Sequence, residues 1–310
     1  MKKKLFLAGA ALTLPLLVNR FQTEMVAART RQDAGSLIAN TRRGPIEYVQ
    51  VGSEEDLPVL ISHSSAGGYD QSVGAARRFP GCRVIAVSRG GYLRTPLAVG
   101  ATPADMADSF ADLLDVLNIP AVMVAAYSAG SMSAIEFALR HPERCRGLIL
   151  GASVTAPIPF VITDVVARLA LSVHSDFMNW LASETMYYLS SAIEQDADTV
   201  AVLDAITRNH PMSRRFPGYN SDIANIRKFF PPLEQIQART LFVHGEWDSI
   251  VPMASAQLAV RRIPRAELVI VPKGMHDAPM RAGAVVQPAI NRFLNAVHAE
   301  QMQNGDQAIL

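Results

Sequence analysis

The sequence predicts an α/β fold: a mostly parallel sheet covered by helices on both faces, with an α-helical segment inserted into it. Two observations predict it. Short, unbroken apolar runs bounded by glycine- and serine-rich breaks alternate with longer segments that repeat at helical spacing. Strands buried on both faces read as continuous apolar runs, which is what a parallel sheet between two helical layers requires. This rhythm stops after Ala156 and returns near Thr240, and 310 residues accommodate one such domain with an insertion.

Ile46 to Val51 reads as the first strand, ending at Gly52. Pro58 to His63 is the next apolar run, broken by Ser64-Ser65-Ala66-Gly67-Gly68, and Arg83 to Ser88 follows, broken by Arg89-Gly90-Gly91. Thr102-Pro103-Ala104-Asp105 opens a helix: a hydroxyl at the cap, proline in the first turn and an acid three residues after the cap. Met106, Phe110, Leu113, Leu114 and Leu117 give that helix one apolar face. Ala121 to Ala126 is a strand, Met132 to Leu139 a buried helix, and Gly147 to Gly151 a strand. From Pro157 to Pro232 the apolar residues fall in helical groups: Val165, Leu169 and Leu171; Phe177, Trp180 and Leu181; and Met186 to Leu189. Thr240 to His244, a helix over Met253 to Ile263, Glu267 to Val271 and a helix from about Val285 to Met302 complete the pattern, with a frayed tail from Asn304. The expected organisation is therefore a core over 40–156 and 236–303, interrupted by a helical cap over 157–235.

Composition narrows the function. Nearly half the residues are apolar, enough for a sizeable core, and the formal net charge of +1 with no basic stripe excludes a nucleic-acid partner. The N-terminus is different. Lys2-Lys3-Lys4 precedes an uncharged apolar run from Leu5 to Val18, so residues 1–30 read as a signal peptide or signal-anchor, which would place the protein outside the cytoplasm or on a membrane. The run is short against the ~20 apolar residues of a spanning helix. Val26-Ala27-Ala28 offers small residues for cleavage but lies beyond Arg20 and Glu24. The competing reading is an apolar helix packed on the domain. The two cysteines, Cys82 and Cys145, precede strands that are not neighbours, so two free thiols are expected. Neither sits in a metal-binding pattern, and no metal or organic cofactor is expected.

The chemistry starts at Val122-Met-Val-Ala-Ala-Tyr-Ser128-Ala-Gly-Ser131. A serine stands where a buried strand turns into a helix, with small residues two before and two after it. Small residues suit a tight turn at which strand and helix approach closely, and the serine hydroxyl then projects above the sheet. The usual pattern is Gly-x-Ser-x-Gly, and Ala126 departs from it at the first small position. Serine needs a base to become nucleophilic, and the base needs an orienting acid. Both appear later in the order Ser, Asp, His: Asp248 beyond the run Thr240–His244, and His276 beyond Glu267–Val271. Each lies past a strand's carboxyl end, where open parallel sheets bind ligands. His141, His174, His210 and His298 read as surface or packing residues, and His244, at a strand end before Gly245, as a local hydrogen-bond partner. The N–H of Ala129, after the nucleophile, is placed to stabilise an oxyanion.

These motifs resemble the α/β-hydrolase superfamily, over roughly Ile46 to Met302. The resemblance implies an eight-stranded, mostly parallel sheet and a helical cap. It takes in Ser88-Arg89-Gly90-Gly91-Tyr92, which is similar to the family's Asp-x-Arg-Gly-x-Gly loop, and Pro231-Pro-Leu-Glu-Gln-Ile236, similar to the segment returning from the lid. Arg89 is expected to serve a structural ion pair or loop hydrogen bond. By position the resemblance makes Ser65 the second oxyanion donor. Ser64 stands where the family has glycine, so the Ser64 and Ser65 N–H groups both remain open, and the Ser65 hydroxyl either reaches substrate or caps its own loop.

The expected function is a serine hydrolase cleaving a small to medium apolar carboxylic ester through Ser128, His276 and Asp248. Two alternatives stand beside it: a carbon–carbon bond hydrolase of the meta-cleavage type, using the same residues, and a non-catalytic binding or receptor module on the same fold. The apolar cap is expected to cover an apolar pocket or to pack against itself.

Overall fold

The computed structural model describes residues 2–158, 175–191, 209–281 and 283–303. Eight strands form one sheet in the order β1-β2-β4-β3-β5-β6-β7-β8. They are β1 (Leu37–Thr41), β2 (Gly44–Val51), β3 (Leu57–Ser62), β4 (Cys82–Val87), β5 (Val122–Tyr127), β6 (Cys145–Gly151), β7 (Thr240–Gly245) and β8 (Ala266–Val271). β1 and β2 form an antiparallel hairpin, β2 pairs antiparallel with β4, and every other pairing is parallel. The expected α/β-hydrolase fold is the one observed, and seven of its strands are those read from the apolar runs. The eighth, β1, was absent from that reading. Leu-Ile-Ala-Asn-Thr is short, lies at the sheet edge and buries only Ala39 deeply, so it lacks the continuous apolar signature.

The unbroken runs divide between two cores. Leu60, Val124, Leu148, Leu150 and Phe242 face one side, with α3 (Pro103–Val116), α4 (Gly130–Arg140) and a later helix over Met253–Arg262. Val59, Ile61, Met123, Ile149 and Leu241 face the other, against the C-terminal helix over Gly283–Gln303. Alternate residues of a strand point to opposite faces, so an apolar residue at every position fills both layers. Helix α3 starts as its sequence dictates. The Thr102 hydroxyl accepts from Asp105 N–H (3.1 Å) while the Asp105 carboxylate accepts from Thr102 N–H (3.1 Å).

Cys82 and Cys145 occupy the first positions of β4 and β6, with β3 and β5 between them, and both are buried free thiols. Burial pushes Cys82 up to about 11 and Cys145 up to about 12, so neither supplies a thiolate at neutral pH.

Helix α1 covers Lys2–Ala34 and contains Pro15. The side chains of residues 2–14 lie outside the described residues, and among those described no helix is long and apolar enough to cross a membrane. The second half of α1 packs on the domain: Met25 and Ala28 are buried, and Gln32 donates to the carbonyl of His210 (2.7 Å). Of the region expected to form the cap, residues 159–174 and 192–208, with Val165, Leu169, Leu171 and His174, lie outside the described residues. The described part holds α5 (Asp176–Ser191) and α6 (Phe216–Ile226).

Candidate active site

Strand order reverses at β3, whose neighbours are β4 on one side and β5 on the other. The crevice at such a switch point, beyond the carboxyl ends, is where an open sheet takes its ligand. The loops after β3, β5, β7 and β8 carry the residues singled out above.

Ser128 follows β5 with φ 49°, a left-handed conformation that a non-glycine residue adopts at a cost. The turn is held by Ser128 N–H donating to the carbonyl of Gly151 (2.9 Å) and by Ser131 donating through N–H and hydroxyl to the Ser128 carbonyl (3.0 and 2.5 Å). Gly130 explains the small residue after the serine. A methyl group there would meet the His63 carbonyl at 2.3 Å and that of Ser62 at 2.6 Å. Ala126, the departure before the serine, is buried in the core that includes Val124, Ala129 and Met132, where its methyl is one more packing group.

The structure brings Ser128, His276 and Asp248 into one hydrogen-bonded line. His276 Nε2 lies 3.0 Å from Ser128 Oγ, and Nδ1 lies 2.9 Å from Asp248 Oδ2. A carboxylate only accepts, so Nδ1 carries the ring hydrogen and Nε2 is left to accept from the serine hydroxyl. Asp248 is itself well held. Its Oδ1 accepts from Ile250 and Val251 N–H, both at 2.9 Å. Burial opposes its charge, but hydrogen bonds from His244, His276 and the Val251 N–H outweigh that cost and hold its carboxyl below the usual carboxylate range.

His244 is the residue whose place the sequence reading understated. Its Nε2 is 2.9 Å from the Val251 carbonyl and 3.2 Å from Asp248 Oδ2. Both neighbours only accept, so Nε2 carries the hydrogen, and it shares Asp248 Oδ2 with His276 Nδ1. The spacing of four residues, His244 to Asp248, was the available signal.

In the loop after β3 the two serines differ in their partners. Ser64 donates its N–H (3.0 Å) and its hydroxyl (2.9 Å) to Gln71 Oε1, so that N–H is already used. Among the described residues neither Ser65 N–H nor Ala129 N–H has a protein acceptor. The Ser64 carbonyl accepts from His63 Nδ1 (2.7 Å) and from Arg89 Nη2 (3.3 Å). In a planar trans peptide the N–H of the next residue points the opposite way, so the Ser65 N–H faces away from His63 and Arg89. The Ala129 peptide is fixed likewise, through the Ser128 carbonyl and Ser131. His63 accepts Arg89 N–H on Nε2 (2.9 Å), and burial together with the Arg89 charge holds its pKa well below the ordinary histidine value. The Ser65 hydroxyl does not cap its own loop: it donates to Asp222 Oδ2 (3.1 Å) on α6. Arg89 makes a buried bidentate ion pair with the same carboxylate, Nη1 and Nη2 each at 2.7 Å. Asp222 had no signal in sequence, because only the packing of α6 brings it to this loop.

A serine hydroxyl beside an imidazole, a carboxylate on the other ring nitrogen, and two N–H groups without protein acceptors among the described residues are an arrangement that can support acyl transfer. Comparison with known proteins agrees at the level of family. The model for "Serine aminopeptidase, S33" matches residues 98–280, more than half of the chain. The chain is 27% identical over 255 residues to 2-hydroxy-6-oxononadienedioate/2-hydroxy-6-oxononatrienedioate hydrolase 2 of Pseudomonas putida, covering 76% of this chain and 87% of that protein. It is 36% identical over 113 residues to the uncharacterized hydrolase YcgS of Bacillus subtilis, a match limited to 36% of this chain and 39% of that protein. Among solved structures, an α/β-hydrolase-fold protein from Nakamurella multipartita superposes with a TM-score of 0.69 at 29% identity, over 86% of this chain and 99% of that one. On fold, sheet order and family match together, this chain belongs to the serine aminopeptidase, S33, family of the α/β-hydrolase superfamily and is a hydrolase.

Proposed function

We propose that the protein hydrolyses a carboxylic ester with a small to medium apolar acyl group, using Ser128 as nucleophile, His276 as base and Asp248 as the orienting acid. The observation that carries the reading is the continuous line from Ser128 Oγ through His276 to Asp248, at 3.0 and 2.9 Å. His276 Nε2 takes the serine proton as Oγ attacks the ester carbonyl, and Asp248 steadies the imidazolium that forms. The carbonyl oxygen becomes an oxyanion held by the N–H groups of Ala129 and Ser65. Collapse of the tetrahedral intermediate expels the alcohol, which takes the proton from His276. Water, deprotonated by His276, then attacks the acyl-enzyme, and as this second intermediate collapses Ser128 Oγ departs, takes the proton back from His276 and releases the acid.

Hydrolysis of a carbon–carbon bond is the second reading, favoured by the Pseudomonas putida relative. It asks the site to protonate a departing carbon, where ester hydrolysis returns the His276 proton to an alcohol oxygen. The ester reading needs only a nucleophile, a base and two N–H donors, which is why it is preferred. Labelling by a fluorophosphonate probe, lost in Ser128→Ala, tests the nucleophile, and folded wild-type protein that does not label would defeat both enzyme readings in favour of a binding module. Turnover of p-nitrophenyl esters of graded chain length, set against a vinylogous diketone, separates the two. Faster hydrolysis of the diketone than of any ester would overturn the preference.

A further inference from the structure

We propose that Asp222, on cap helix α6, is a positioning residue that sets the Ser65 N–H through the Ser65 hydroxyl, so that the cap completes the oxyanion hole. The inference rests on the serine-hydrolase reading above and concerns a residue that reading does not use.

Asp222 is buried, and its carboxylate gathers three segments of chain. Oδ1 accepts from Arg89 Nη1. Oδ2 accepts from Arg89 Nη2, from the Tyr92 hydroxyl (2.5 Å) and from the Ser65 hydroxyl (3.1 Å). One bidentate arginine already neutralises a buried carboxylate. The two hydroxyl donors add nothing to charge balance, and what they add is position. Tyr92 carries the hold one residue further, since its oxygen also receives the Ala66 N–H at 3.4 Å. Ala66 has φ 60°, so this loop is in a conformation that neighbouring contacts must maintain.

The Ser64–Ser65 peptide is held from two sides. On the core side, His63 and Arg89 take the Ser64 carbonyl and Gln71 takes the Ser64 N–H. On the cap side the hydroxyl of Ser65 has Asp222 as its one protein partner among the described residues. Removing it leaves the Cα of Ser65 tethered only through its backbone. A second tie lies two residues on. Arg215, fully buried just before α6, donates to the Gly67 carbonyl (2.6 Å) and pairs with Asp70 Oδ2 (2.5 Å). The segment from Arg215 to Asp222 therefore grips the loop at Ser65 and at Gly67. An oxyanion donor works only if it is aimed before the charge develops, and its value falls steeply with misplacement.

The test is Ser65→Ala, which keeps the N–H and leaves Arg89 and Tyr92 on Asp222, with Ser65→Thr as the variant that restores a hydroxyl. Each is assayed in the full chain on a p-nitrophenyl ester and against an alkyl trifluoromethyl ketone, whose adduct on Ser128 carries an oxyanion. Expected for Ser65→Ala is a fall in kcat of about tenfold with KM changed less than about twofold, and a matching rise in Ki. Ser65→Thr is expected to recover most of both. An unchanged kcat, a loss carried by KM, or a kcat loss without the matching rise in Ki would overturn the proposal. Fluorophosphonate labelling of wild-type protein is run first. If wild type labels and turns over, the result with Ser65→Ala judges this inference alone; if it does not label, the serine-hydrolase reading itself has failed.

Discussion

Ser128 sits at φ 49° because the turn that exposes its hydroxyl leaves no wider path from β5 into α4. The strain is tolerable only while the residues around it stay small. A Cβ at Gly130 would overlap two carbonyls of β3 and the loop after it, so Gly130→Ala must displace backbone. A cost of about 1–3 kcal/mol is expected in chemical denaturation, with fluorophosphonate labelling of Ser128 lost out of proportion to stability. At the acid, Asp248→Asn should slow fluorophosphonate labelling on the order of 10³-fold or more, since a neutral amide neither fixes the His276 tautomer nor stabilises its charged form. Because the Asp248 carboxyl is held below its usual range, the stability it contributes is complete above pH ~4 and is lost only as pH falls through its lower folded value. These residues were legible as types and order. The second histidine on Asp248, His244, was legible only as a local hydrogen-bond partner at a strand end.

Elements are joined by a small set of carboxylates that the sequence scatters. Asp108 on α3 receives Arg140 and His141 from the end of α4 (2.7 and 2.9 Å) and Arg43 from the β1–β2 turn (3.1 Å). The Arg140 hydrogen bonds, aided by His141 and by the Arg43 charge, pull its carboxyl down to about 2 against the cost of burial. A depressed acid stabilises above its unfolded value and stops doing so as pH falls through its folded one. Asp108→Asn should therefore melt earlier than wild type at pH 7. The gap should close as pH is lowered from ~4 towards 2, followed by thermal denaturation across that range. A gap that persisted at pH 2 would refer the effect to packing instead. The capping box of α3 needed no such partners and was read directly, since Thr102, Pro103 and Asp105 are local to one turn.

Across the whole molecule, the second half of α1 ties α5 to the rest of the domain. Arg20 bonds Glu184 on α5 (2.6 Å), Trp180 Nε1 donates to Glu24 (2.5 Å), and Phe21 stacks edge-on to Phe177. Further along α1, Arg214 reaches back to Asp33 (2.7 Å), and Arg214 adjoins the Arg215 that holds Gly67. Glu24→Ala leaves the buried Trp180 N–H without this acceptor, at an expected cost of about 1–3 kcal/mol. A lowered melting temperature together with faster proteolytic cutting within α5 is the expected outcome. A melting temperature unchanged within error would show that α1 is no strut.

The sequence alone carries the α/β class, seven of the eight strands and the order of Ser128, Asp248 and His276 past strand ends. All of these are written in local patterns: apolar runs, caps, and a serine between small residues. Only the folded chain shows the edge strand β1, the packing of α1 on the domain, the Ser64 N–H spent on Gln71, and the place of Asp222. The physical reason is range. A run of buried residues or a cap is set by neighbours within a turn or two. Whether a backbone N–H is spent depends on a glutamine seven residues on, and whether a serine hydroxyl is anchored depends on a carboxylate 157 residues away. Such pairings leave no periodicity in the chain and exist only once sheet and cap have closed around them.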